Sequence, residues 1–315
     1  MSDGQPGSGG GEAPAEPPDD RAGARPSLFG RVVGALRGQI LRGHIERARA
    51  RRPAVDVTFA AIERDVAIGG GILAGALAYR LFLYVLPLGF FLVSGLGLLA
   101  DLLGVEPESI GSNIGLASVV TEQVADAAKS PSSWWVALTS FVILLFVTHI
   151  LFRAVSVAYA LASSRSAAAV RVSLHGFLIF FGALWAQLAL VAVVGAVRER
   201  SAAAGVVALF VQFAAVCGLW VIVSRELPLP STRVRDVLPG AALYAVGIMV
   251  LQVFNAFVLD RILEQKSSTY GTLGTAAALL LSLYIAGRAI VAAAVLNATL
   301  FERRHPVRPS TERGS

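Results

Sequence analysis

The sequence predicts an all-α polytopic membrane protein with about six transmembrane helices, and three observations carry that prediction. Hydrophobic residues make up 55% of the chain and charged residues 15%, with a mean hydropathy of +0.67, far more apolar than an ordinary globular domain. Six apolar runs, near 67–100, 134–162, 173–197, 202–224, 237–259 and 272–300, each reach the roughly 20 residues a spanning helix needs. The 27 basic residues gather at alternate span ends, the asymmetry that orients membrane proteins.

Taken in order, residues 1–26 are Gly, Pro, Ala, Ser and acids with little to bury, so a disordered cytoplasmic tail is expected. It lacks the charged start and apolar core of a secretory signal and should stay on the mature protein. Over 27–65 two helices are expected. In the first, Phe29, Val32, Val33, Leu36, Ile40 and Leu41 recur at helical spacing among arginines, as in an amphipathic helix lying on the membrane surface, or one packed on cytosolic loops. A short helix over Val55 to Arg64 then leads into the membrane domain, residues 66–302, and 303–315 form a second disordered cytoplasmic tail.

The first run carries one charge, Arg80, in 34 residues. As a single helix it would measure about 50 Å against a hydrocarbon core of roughly 30 Å. Pro87 is the expected bend, since proline removes a helical N–H and clashes with the carbonyl four residues back. Gly69, Gly70, Gly71 and Gly75 are expected to admit another backbone. A long, kinked and centrally packed first span follows. The loop 101–133 carries five acids against one lysine and should lie outside. With the N-terminus inside, nineteen basic residues fall inside, five in outer loops and three within spans, which places both termini in the cytoplasm.

No catalytic or metal-binding arrangement is visible. His44, His149, His175 and His305 fall on separate segments without ligand spacing, no carboxylate lies within a span, and the lone Cys217 has no mate. The chain is expected to have no cofactor and no enzymatic role. Its net charge of +6 suits an anionic membrane surface better than nucleic acid. The informative signal is intramembrane arginine: Arg80, Arg153 and Arg288 count to similar depth in the first, second and sixth spans. Each costs about 2.5–3.5 kcal/mol at a helix centre by insertion scales. Without acids in the spans, the partners left are backbone carbonyls, Tyr, Asn and Gln side chains, water, an anionic ligand, or inner headgroups reached by snorkelling. A ligand site of Arg80, Arg153 and Arg288 with Tyr79, Tyr84 and Asn297 is the expectation. The remaining polar residues in spans, such as Thr148, Gln187, Gln212, Gln252 and Asn255, read as hydrogen-bond glue between helices.

Three stretches carry a family resemblance: ALAYRLFLYVLP in the first run, LPGAALYAVG at 238–247 and YGTLGTAAALLLSLYIAGRAIVAAAVLNA at 270–298. In them the chain resembles the YihY/BrkB family of bacterial inner-membrane proteins over roughly 30–302. The carriers are Ala78, Tyr79 and Pro87, then Pro239, Gly240 and Ala241, then Tyr270, Gly271, Leu273, Gly274, Tyr284 and Asn297. Family members often have a glutamate two residues before that asparagine, where this chain has Val295. The resemblance implies about six spans and a bacterial inner-membrane location, with Pro87, Pro239, Gly240, Tyr270, Gly271 and Gly274 as structural positions. Members once carried the label ribonuclease BN, now regarded as mistaken, and transport of lipids or solutes has been suggested for them. The leading expectation is therefore transport or translocation of an anionic lipid or solute, with membrane lipids and their anionic headgroups as partners and a homo-oligomer left open. The rivals are an envelope scaffold and the nuclease of the old label.

Overall fold

The structure is a computed structural model and describes residues 53–103, 133–198, 202–264 and 271–305. The expected surface helix over 27–52, both disordered tails and nearly all of the 101–133 loop lie outside the described residues. The chain divides into two compact units, Met1–Asp56 and Val57–Ser315, and the second contains every span. Among the described residues there are seven α-helices and no strands. A lead helix α1 (Pro53–Ala67) is followed by α2 (Gly70–Leu103), α3 (Ser133–Ala162), α4 (Leu174–Arg198), α5 (Ala202–Glu226), α6 (Val234–Glu264) and α7 (Gly271–Arg304). The last six are each long and apolar enough to cross a membrane.

Helix α1 opens on Pro53 with Asp56 in its first turn and Arg64 in its last, a proline start and a charge order that suit the helix dipole. It stops at a two-residue joint. Gly69 has φ +67°, a left-handed conformation that glycine adopts without penalty, and its carbonyl accepts from the N–H of Ile72 at 2.9 Å to start α2. The first apolar run is broken at Gly69, and Pro87, the expected bend, sits inside the long helix that runs from Gly70 to Leu103. Gly75, expected to admit a neighbouring backbone, faces open space.

The core is assembled on α7, which packs against α6, α2 and α3 and is the most buried of the spans. This corrects the expectation that the first span lies at the centre. The reason is side-chain size: Ala289, Val291, Ala293, Ala294 and Ala298 are all buried, and small residues let helices approach where lipid supplies no hydrophobic drive between them. At Gly287 a Cβ would come within 2.6 Å of the Ala74 carbonyl on α2. At the opposite extreme, α4 is the least buried span and exposes Leu174, Leu178, Val191 and Val193 to what would be acyl chains. Trp134 and Trp135, stacked at 3.9 Å and both exposed at the start of α3, suit the interfacial belt where indole rings settle.

Candidate functional site

Two of the three intramembrane arginines line one cleft. Arg80 on α2 and Arg153 on α3 face a space of about 700 Å³ between the two helices, with His149 one turn before Arg153. Apolar side chains, among them Leu73, Leu77, Phe146 and Val157, make up the rest of its wall, and Ala167 and Ala168 of the turn after α3 close one end. Among the described residues no carboxylate lines it. Among the described residues neither guanidinium has a hydrogen bond or ion-pair partner. His149 is exposed, with Phe177 at 5.7 Å as its ring neighbour. Two permanent cations and an imidazole in a largely apolar cleft make a strongly positive field.

Arg288 is elsewhere and is not unpaired. Its Nη1 and Nη2 donate to Oδ1 and Oδ2 of Asp65 at 3.0 and 3.1 Å, the parallel fork geometry of a bidentate arginine–carboxylate pair. Asp65 lies on α1, outside the spans, so the expectation that Arg288 must do without an acid is corrected: the lead helix brings one to it. Gly70 makes this possible, because a Cβ there would come within 2.0 Å of the Asp65 carboxylate. The residue before, Arg64, binds in the other direction. Its Nε donates to the Ala162 carbonyl at the end of α3, and its Nη atoms donate to Ser164 and to both Glu302 oxygens of α7 at 2.6–3.0 Å. An orphan C-terminal carbonyl of α3 is thereby satisfied. Neighbouring residues of opposite charge clamp α1 to α3 and to two levels of α7.

Asn297, expected to touch a ligand, engages the protein's own backbone through its Oδ1, while its buried Nδ2 has no partner among the described residues. Pro239 lies within α6 and cannot donate to the carbonyl of Arg235, and Arg304 from the end of α7 donates to that carbonyl at 2.9 Å instead. One residue on, the Gly240 N–H donates to Asn297 Oδ1 at 2.8 Å. A side chain at Gly240 would meet Asn297 and the Ala293 carbonyl at 2.5 Å, so Pro239, Gly240 and Asn297 form one seam between α6 and α7. Tyr79 is exposed at 62% and Tyr84 buried at 7%, and neither lines the cleft. Gly271 opens α7, Gly274 lies in its first turn, and Tyr270 lies outside the described residues. Val295, where relatives often carry a glutamate, is 2% exposed among apolar neighbours. Among the described residues no three His, Cys, Asp or Glu side chains gather as a metal site would need.

Sequence reasoning missed His149 and Asp65. Spacing could have found the first, since 149 and 153 share a helix face. The second needs the fold, because 223 positions separate it from its partner.

A family model described as Virulence factor BrkB matches residues 69–314, a stretch that begins at the Gly69 joint and takes in all six spans. No curated protein and no solved structure matches the chain.

Proposed function

Because the chain belongs to the Virulence factor BrkB family, a multi-pass membrane family, we propose that it binds an anionic lipid or solute between α2 and α3 and transports or translocates it across the bacterial inner membrane. The observation that carries this reading is the pairing of Arg80 and Arg153, with His149, on one cleft without a carboxylate. Arg80 is half-buried and Arg153 exposed on the protein's own surface; at the central depth that counting along the spans gives them, two guanidiniums cost about 5–7 kcal/mol by insertion scales, and a phosphate or carboxylate between them would offset that with charge-assisted, bidentate hydrogen bonds. Phe146 at the rim is 65% exposed, which leaves an apolar flank on which an acyl chain can lie.

The test is retention of a fluorescent phosphatidylglycerol, against phosphatidylcholine of the same chains, by purified protein. Wild type should prefer the anionic lipid or be competed by a soluble anion, and Arg80→Gln with Arg153→Gln should lose about tenfold in affinity. Unchanged retention of every anion in the double variant would end this reading. The basic-residue count supports a cytoplasmic location for both termini. A cysteine at Ser112 in a Cys217→Ser background should then react with an impermeant thiol reagent in intact cells, and one at Ser166 should not. The reverse pattern would invert the topology.

A further inference from the structure

A second basic pocket, of about 660 Å³, lies where α6 begins and α7 ends, and it shares no residue with the α2–α3 cleft. Arg233 and Arg235 approach it from the start of α6, and Arg304 and His305 from the end of α7. Among the described residues three guanidiniums and an imidazole meet one carboxylate, Asp236. That carboxylate is already engaged: it accepts from Arg304 Nη1 at 2.8 Å and from Ser231 Oγ at 2.8 Å. The side chains of Arg233 and Arg235 have no hydrogen bond or ion pair among the described residues. The pocket therefore holds an excess of positive charge beside the positive end of a long helix dipole. Its remaining wall is apolar, with Val234 and Leu238 exposed at 49% and 46%. Basic on one side and apolar on the other, it has the make-up of a site at the membrane–water boundary.

We propose that this pocket binds a phosphoryl group, held by Arg233 and Arg235 with His305 beside them, while Arg304 keeps its structural bonds to Asp236 and to the Arg235 carbonyl. An inner-leaflet anionic lipid and free phosphate share this chemistry, and the apolar rim favours the lipid. The proposal does not rest on the α2–α3 cleft.

The full chain, purified in detergent, is incubated with phosphatidylglycerol or phosphatidylcholine of identical chains, and bound lipid per folded molecule is counted by native mass spectrometry with and without excess inorganic phosphate. Wild type should retain phosphatidylglycerol over phosphatidylcholine. The pair Arg233→Gln and Arg235→Gln should lose about tenfold in affinity for the bound phosphatidylglycerol that does not depend on Arg80 and Arg153, with an unchanged melting temperature, and the corresponding Lys pair should keep part of it. Displacement by inorganic phosphate assigns the site to a free anion, and resistance assigns it to a lipid; both support a phosphoryl site. Unchanged phosphatidylglycerol retention in the Gln pair overturns it. So does an equal loss of both lipids, or retention that depends on Arg80 and Arg153 alone.

Discussion

Arg288 and the Arg80–Arg153 pair look alike along the chain and differ completely in surroundings. Each is a guanidinium in an apolar helix, yet Arg288 is matched atom for atom by Asp65, whereas the other two face a cleft that contains no carboxylate. The contrast shows that an intramembrane charge acquires its role from what the rest of the fold brings to it. One arginine has its counter-charge delivered by a lead helix that turns back at Gly69. The other two have no counter-charge among the described residues.

The largest effect should come from breaking the matched side. Arg288→Gln leaves the Asp65 carboxylate without its partner and should destabilise the protein by about 1–3 kcal/mol, read as a loss of melting temperature in detergent. Asp65→Asn should cost less, because a lone arginine can extend toward water. The double variant should be more stable than the sum of the two singles implies. Additive losses would mean that the pair is a contact without energetic coupling.

How much of this was legible beforehand follows from the range of each interaction. The six spans could be read because a run of roughly 20 apolar residues is a local signal, and the helix over Val55 to Arg64 was visible for the same reason. The joint at Gly69 is half visible: three consecutive glycines mark it, but the sequence offers no sign that the chain breaks there as well as carrying Pro87 within the long helix that follows. That α7 is the hub was not legible, since its many alanines look bland in isolation and matter only through the close packing they permit. The Asp65–Arg288 pair was hidden by a wrong premise, that only residues inside spans can neutralise charges there. His149 was discounted as a lone histidine, although its position one turn from Arg153 places both on the same wall. Asn297 is recognised as important, and the fold adds a role for its Oδ1, which caps a backbone opened beside Pro239, while its buried Nδ2 has no partner among the described residues.

On the unmatched side the expected effect on stability is smaller and has the opposite sign. Arg80→Gln and Arg153→Gln remove charges with no counter-charge, so the melting temperature should hold or rise slightly, and a drop comparable to that of Arg288→Gln would show that unseen partners balance them. The smallest effect belongs to the exposed end of the α1 clamp. Glu302 is 56% exposed in its side chain, so Glu302→Gln should cost only about 0.5 kcal/mol, with Arg64 still held by Ala162 and Ser164. A larger loss would mean that the clamp acts as one network.

The contrast is tested most directly by measuring bound anionic lipid per folded molecule and thermal stability together on two double variants, Arg80→Gln with Arg153→Gln and Asp65→Asn with Arg288→Gln. The expected result is a crossed pattern: the first loses the lipid held in the α2–α3 cleft, one fewer per folded molecule, and keeps its melting temperature, and the second keeps that lipid. Loss of lipid in the second variant with full retention in the first would contradict the division of labour between matched and unmatched arginines.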